Sequence, residues 1–200
     1  FTCTVDRARR LGIPAMFGQA TTAHVYSQRS EFKSGYHPTA LLLGAAPASM
    51  AQAQTEDGAA PTARGALLNS VLPLAAEPQI VAAPPERYAA VIDRIAASVG
   101  LAPAHSRHRD PLEMDEELQY YLEGNVTLIH VSGGADPKRV ERMLWSEEAR
   151  RAGTLYADID LACIDEAAID LLRGEGFFLA GLIARGRAGR DWLRLQRPQD

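Results

Sequence analysis

The sequence has few of the features that assign a chain to a specialised class of protein. Its two cysteines, Cys3 and Cys163, have the spacing neither of a metal site nor of a disulfide framework, so we expect buried free thiols. No apolar run approaches the ~20 residues that span a bilayer. The net charge of −4, with both signs interspersed, gives no general attraction to nucleic acid or to an anionic membrane. We therefore expect neither partner, and a cytoplasmic location.

The chain nevertheless has an apolar fraction of 46%, which is sufficient for a hydrophobic core. It begins at Phe1 and not at Met, and its first residues lack an apolar segment of signal-peptide length. Because the chain enters directly into what reads as a regular element, we expect it to be a fragment of a longer protein.

The clearest pattern lies in residues 154–183, TLYADIDLACIDEAAIDLLRGEGFFLAGLI. Alternating apolar residues over 155–161 predict a half-buried strand. Apolar residues at helical spacing then predict a helix over 165–174, with Asp165 at its positively polarised start and glycines at its end. The bulky apolar run over 177–183 is typical of a strand packed on both faces.

The same reasoning predicts further elements along the chain. Helices are predicted over 84–99 and 136–151, and strands over 66–74, 79–82 and 125–132. Asp136 is a suitable N-cap for the second of these helices.

A strand, a helix, a Gly-aromatic pair and an apolar strand also occur near the N-terminus. Gly35 and Gly176 mark equivalent places, 141 residues apart (176 − 35), which suggests an internal duplication. The predicted organisation is a partial unit over 1–44, a flexible Ala- and Pro-rich linker over 45–64, and a domain over 65–200.

The segment that ends in Gly176-Phe177 resembles the closing segment of the GNAT acetyltransferase family, and residues 191–196 would form its last strand. The resemblance implies an α/β (α+β) fold: a mixed, mainly antiparallel sheet flanked by helices, with a partial second GNAT-like unit at the N-terminus. It also implies that the strands over 125–132 and 154–161 are neighbours that diverge to admit the pantetheine arm of a cofactor.

A more particular likeness is carried by the phrases TTAHVYSQ, LLLGAAP and GFFLAGLIARGRAGRDWLRLQ. They look like the GNAT-like region that follows an anti-sigma-type ATP-binding domain in some bacterial regulatory proteins. The resemblance implies an ATP-binding domain upstream of Phe1 in the full-length chain.

The cofactor implied by the resemblance is acetyl-CoA, whose pyrophosphate such enzymes hold on a Gly-rich loop at a helix N-terminus. By position, the residues for this role are Ser132, Gly133, Gly134, Lys138 and Arg139. The loop departs from the family pattern, because Asp136 would repel a phosphate and Pro137 lacks an N–H donor. A capped turn without a ligand is the other interpretation of these residues.

The family often places a catalytic tyrosine four residues before the glycine of the Gly-aromatic pair. That position is Leu172 in the C-terminal segment and Glu31 in the N-terminal one, so neither segment has the tyrosine. The weak catalytic candidates that remain are His24, Tyr156 and His130. The thiol end of the cofactor would run towards the last two.

Four groups of polar residues each allow more than one interpretation. The face of His24, Ser27 and Gln28 is a capped or solvated helix start, a ligand contact or a nucleophilic site. His130, within an apolar strand, is a core histidine or a base. Asp158 and Asp160 are solvated carboxylates or an acid–base pair. The fourth group consists of His105, His108 and Asp110. It lies in an exposed loop or forms a metal site, and we predict the exposed loop.

Two functions remain open from the sequence. One is an acyl-CoA-dependent N-acetyltransferase, or a degenerate CoA-binding relative, acting on a small-molecule or protein amine. The other is a non-catalytic sensory or interaction module of a bacterial regulatory protein.

Overall fold

A computed structural model of the chain describes residues 2–23, 25–48, 63–74, 80–81, 84–103, 118–121, 125–133 and 136–199. The helices are α1 (Thr2–Arg10), α2 (Val25–Lys33), α3 (Glu86–Val99), α4 (Pro137–Leu144), α5 (Glu147–Arg151) and α6 (Glu166–Gly174). The strands are β1 (Ala15–Thr21), β2 (His37–Ala46), β3 (Gly65–Pro73), β4 (Ile80–Val81), β5 (Ala102–Pro103), β6 (Leu118–Tyr121), β7 (Val126–Val131), β8 (Thr154–Asp160), β9 (Phe178–Ile183) and β10 (Trp192–Pro198).

Eight of these strands form one curled sheet in the order β1-β3-β2-β9-β10-β8-β7-β6. All its neighbours are antiparallel except β7 and β8, while β4 and β5 form a separate parallel pair. The expected class, a mixed and mainly antiparallel sheet with flanking helices, is therefore confirmed. The strands predicted over 125–132 and 154–161 are neighbours. They pair from Val126 and Thr154 to Val131 and Ile159, so the expected divergence does not occur along β7.

Two hydrophobic clusters hold the sheet together. The larger one joins buried residues of α3, α4 and α6 to residues of the sheet, among them Ile92, Val140 and Leu172. The smaller one consists of strand residues that include Tyr156 and Trp192. Burial of this apolar area is the main favourable term in folding.

Several sequence predictions need correction. The helix predicted over 136–151 is two helices, because α4 ends at Leu144 with Trp145 as its C-cap, and the Ser146 hydroxyl caps α5 by accepting from the Ala149 amide at 3.2 Å. Cys3 is exposed and Cys163 is half-buried, so the expected burial of both thiols is wrong. Most of the linker predicted over 45–64 lies outside the described residues.

Two parts of the sheet share one topology. The N-terminal unit consists of β1, α2, β2 and β3, and β3 lies between β1 and β2. The C-terminal unit consists of β8, α6, β9 and β10, and β10 lies between β8 and β9. The sequence analysis grouped β3 with residues 65–200, whereas its strand partners belong to the N-terminal unit.

The helix ends of the two units agree in detail. Gly35 and Gly176 both have φ of 85°, a left-handed conformation that favours glycine. In each unit the next residue, Tyr36 or Phe177, donates its amide hydrogen to the carbonyl five residues earlier, at 3.1 and 3.0 Å. This is the Schellman arrangement that commonly ends a helix.

The bulges of the two units also agree. The strand pairing skips Thr39 in β2 and Ala180 in β9, which are 141 residues apart (180 − 39), as are the two glycines. The two units meet at the pair Ala40 and Gly181, again 141 apart, so each residue faces its own counterpart. A local two-fold axis passes through such a pair. A side chain at Gly181 would collide with the Thr39 carbonyl, so this contact requires glycine.

Candidate functional site

One residue from each of seven strands lies in a single row across the sheet. The row follows the strand register through consecutive pairs, and we call it the transverse row. In order across the sheet its members are His130, Asp158, Arg194, Gly181, Ala40, Asn69 and Gln19. The two small residues lie at its centre, on the local two-fold axis, and polar side chains lie on either side.

The strongest interaction in the transverse row is a buried ion pair. Arg194 Nε and Nη2 each donate to an oxygen of Asp158 at 2.6 Å. Burial alone would lower the pKa of Arg194, but the charge of Asp158 and the hydrogen bonds to it raise that pKa above its ordinary value. The guanidinium carbon also lies 5.3 Å from the centre of the Tyr156 ring. The two charges neutralise each other within the protein.

A second carboxylate is also paired, so the predicted solvated face of Asp158 and Asp160 is wrong. Asp160 accepts from Arg190 Nη1 at 2.6 Å and from the Ala162 amide at 2.9 Å, and its side chain is fully buried. A period of two in the sequence shows that two side chains share a face, but not that solvent reaches that face.

His130 ends the row beside Asp158. It is buried, and among the described residues neither ring nitrogen has a hydrogen-bond partner. Its ring meets Trp192 edge to face, with 5.7 Å between centroids. Burial lowers the pKa of His130, and the charge of Asp158 opposes this only in part. The position agrees with that of a neutral core histidine.

An open cavity of about 480 Å³ is lined in part by three members of the row, Gln19, Asn69 and Arg194. Gln19 and Asn69 come from the N-terminal unit and Arg194 comes from the C-terminal unit, and the apolar residues Phe17 and Ile183 also line the cavity. Volumes of this order are typical of small-molecule sites, as is an apolar lining with a few converging polar groups. Asn69 is itself held in place, because its amide nitrogen donates to Thr39 Oγ1 at 3.2 Å.

Two described residues of the loop predicted to hold a pyrophosphate are in close contact with other groups of the chain. The Asp136 carboxylate accepts from the Lys138 amide at 3.0 Å and so occupies a donor at the start of α4. Gly133 lies so close to Cys163 that any side chain there would overlap it. Lys138 and Arg139 are exposed, and Ser132 is half-buried. Gly134 lies outside the described residues.

The catalytic candidates do not come together in this region. The Tyr156 hydroxyl donates to the Leu43 carbonyl at 2.7 Å, and burial raises the pKa of this phenol. His24 lies outside the described residues. Of its two predicted companions, Gln28 Nε2 donates to the Thr21 carbonyl at 2.9 Å, and the Ser27 hydroxyl oxygen is buried.

Sequence reasoning missed the residues that form the cavity: Phe17, Gln19, Asn69 and Arg194. Each lies in a strand and no motif surrounds it. The signal that could have found Arg194 is its opposite charge to Asp158, but the sequence does not show that the two strands pair in that register.

Comparison with protein-family models, curated proteins and solved structures found no match for this chain. Within the described ranges, no three His, Cys, Asp or Glu side chains are placed to hold a metal ion. The predicted loop with His105, His108 and Asp110 falls outside those ranges. No helix in the described part of the chain combines the length and apolar character needed to cross a membrane.

Proposed function

We propose that this chain is a GNAT-like protein that does not transfer acetyl groups. It acts as a sensory module of a regulatory protein and binds a small uncharged molecule in the cavity between its two units. The proposal is supported by the chain's own contacts at the positions that the resemblance assigns to the acetyltransferase machinery. Asp136 caps α4 where a pyrophosphate would bind, and Leu172 is fully buried where the family tyrosine would be.

The charge balance of the cavity favours an uncharged ligand. Arg194 is the charged residue of the cavity lining, and Asp158 neutralises it through two hydrogen bonds. The amides of Asn69 and Gln19 can both donate and accept, and the Phe17 ring offers an apolar surface. A planar ring that bears an amide group matches these features.

A second candidate is an acyl-CoA-dependent N-acetyltransferase, or a relative that retains CoA binding, with an amine as acceptor. The adjacency of β7 and β8 agrees with it, because the resemblance expects these two strands to be neighbours, but their unbroken pairing leaves no opening between them along β7. A cytoplasmic location and an upstream ATP-binding domain belong to the proposal in either form.

Calorimetric titration with acetyl-CoA separates the two candidates. We expect neither heat of binding nor thermal shift at millimolar ligand for the wild-type chain. Asp136→Asn is the matched variant, because asparagine still caps the helix and its side chain carries no charge. If the wild-type chain binds acetyl-CoA with a dissociation constant below about 1 mM, the proposal is wrong; binding by Asp136→Asn alone would show that the Asp136 charge is what excludes the phosphate.

Benzamide and benzoate, which share a ring and differ in charge, test the cavity. Benzamide should shift the side-chain amide NMR signals of Gln19 and Asn69, whereas benzoate should leave them unchanged. In Asp158→Asn the positive charge of Arg194 is no longer balanced, so the preference should reverse towards benzoate. Equal responses of wild type and variant to both probes would refute an uncharged-ligand site.

A further inference from the structure

The N-terminal unit has polar side chains beneath α2 where the C-terminal unit has a hydrophobic core. The correspondence follows from the structure, since α2 and β2 match α6 and β9 at a separation of 141 residues. In the strands, Ser70 pairs with Gly18 and Pro38, just as Leu195 pairs with Ala157 and Leu179. The polar cluster between α2 and the strands consists of Gly18, Ser27, Glu31, Tyr36 and Ser70, of which Ser27 and Glu31 belong to α2 itself.

Their equivalents in the C-terminal unit, in the same order, are Ala157, Ala168, Leu172, Phe177 and Leu195. The five equivalents are all buried members of the larger hydrophobic cluster.

Glu31 is the central residue of this polar cluster. It is 7% exposed, and no cation among the described residues forms an ion pair with it. Its Oε2 atom and the hydroxyl oxygens of Ser27 and Ser70 are buried, and none of the three has a hydrogen-bond partner in the described part of the chain. An ionised carboxylate in such surroundings is costly, and the usual escape is to bind a proton.

The backbone of β1 is adapted to the Glu31 carboxyl group. A Cβ atom at Gly18 would lie 2.8 Å from the Glu31 Cδ, so glycine is what allows the carboxyl group to rest on the strand. The equivalent Ala157 has a Cβ and lies within the hydrophobic core. The space beneath α2 is therefore shaped for this side chain.

We infer that Glu31 is a proton-binding site. Its carboxyl group is protonated while α2 is packed on β1 and β3, and loss of the proton loosens α2. Protonation supplies an O–H donor, for which the unpartnered hydroxyl oxygens of Ser27 and Ser70 are acceptors within the same cluster. The packing of α2 thereby depends on pH, whereas the packing of α6 on Leu172 does not.

Within the described part of the chain, few charged or titratable groups lie around Glu31. Burial raises the pKa of Glu31, and the nearby Ser70 hydroxyl opposes this less strongly, although no hydrogen bond of acceptable geometry joins the two. Tyr36, which immediately precedes β2, is a titratable neighbour. Its own pKa is raised by burial and further by the charge of Glu31. The faces that β1 and β3 contribute, Gly18 and Ser70, are uncharged.

The sign of the effect follows from linkage. The folded chain holds the Glu31 proton more tightly than the unfolded chain, so the folded state is favoured at low pH. That advantage is lost as pH rises from the unfolded pKa through the higher folded pKa. Glutamine in place of Glu31 has a similar shape and cannot ionise. The pH dependence of unfolding in Glu31→Gln therefore comes from all the other titratable groups.

The test is urea unfolding of the full 200-residue chain between about pH 4 and about pH 8, for wild type and Glu31→Gln. The ratio of the two unfolding constants should change at least about tenfold over this range, with wild type losing stability as pH rises. Glu141→Gln removes an exposed carboxylate on α4 and should follow wild type closely. Parallel curves for wild type and Glu31→Gln would overturn the inference.

Hydrogen exchange provides the second readout, which does not depend on whether a variant folds. In the wild-type chain, protection of the α2 amides should fall relative to that of the α6 amides as pH rises, by at least about tenfold after correction for intrinsic exchange. A constant ratio between α2 and α6 would also overturn the proton-binding site.

Discussion

The N-terminal and C-terminal units have the same strand order and different chemistry. They share the bulge positions, the left-handed glycine and the helix-end hydrogen bonds, yet Glu31 stands where Leu172 stands in the other unit. In the transverse row the contrast reverses, because the neutral Gln19 and Asn69 correspond to the charged Asp158 and Arg194. The two units therefore share backbone features while their side chains differ, and each unit buries ionisable side chains in a different layer.

Moving the acid into the other unit should produce the largest effect. Leu172→Glu places a carboxyl group in a closed hydrophobic core, without the room that Gly18 provides for Glu31, and should cost about 5 kcal/mol of unfolding free energy at neutral pH. Ala167→Glu, on the exposed side of the same helix, is the control and should change stability by less than about 1 kcal/mol. Similar losses in the two variants, measured by urea unfolding, would remove the distinction between the cores.

Breaking the buried ion pair should come next. Arg194→Met leaves Asp158 buried without a partner and should cost about 4 kcal/mol, whereas the double variant with Asp158→Leu should recover much of the loss. A double-mutant cycle of unfolding free energies measures this. Additive losses would mean that the two side chains contribute separately.

The paired helix ends should respond alike. Gly35→Ala and Gly176→Ala each force a side chain into a left-handed conformation, at a cost of about 1–2 kcal/mol. Thermal unfolding should give losses within about 0.5 kcal/mol of each other. A large difference would show that the shared backbone geometry does not carry the same strain in both units.

The smallest effect is expected at the neutral end of the transverse row. Asn69→Ala removes one hydrogen bond to Thr39 and should cost about 1 kcal/mol, well below the loss in Arg194→Met. It should also abolish the response of the cavity to benzamide. Denaturant unfolding measures the stability loss, and the benzamide titration by NMR measures binding through the Gln19 side-chain amide signal. Unchanged benzamide binding would place the ligand contact elsewhere.

Local patterns predicted the elements better than their arrangement. The alternation over 155–161 and the helical spacing over 165–174 gave β8 and α6, because these patterns depend on neighbouring residues alone. The insertion of β3 between β1 and β2 depends on pairing between distant residues, and no short motif marks it. For the same reason the cavity was missed, since its lining comes from both units.

Wrong predictions about side chains had a common cause. The pattern around Asp158 and Asp160 indicates two carboxylates on one face, and only the partner strand and the following loop bring Arg194 and Arg190 to them. The capped turn at Asp136 was an interpretation available from the sequence, because a helix cap and its helix are adjacent in the chain. Side-chain interactions within a few residues were predictable, and side-chain interactions between strands were not.

The most direct test of the difference between the two units is an NMR titration of the Glu31 side-chain carboxyl carbon in the wild-type chain. A midpoint well above the ordinary range for glutamate, together with loss of α2 contacts as the carboxyl group ionises, is the result that a proton-binding site requires. A midpoint near about pH 4, with α2 unchanged throughout, would contradict it.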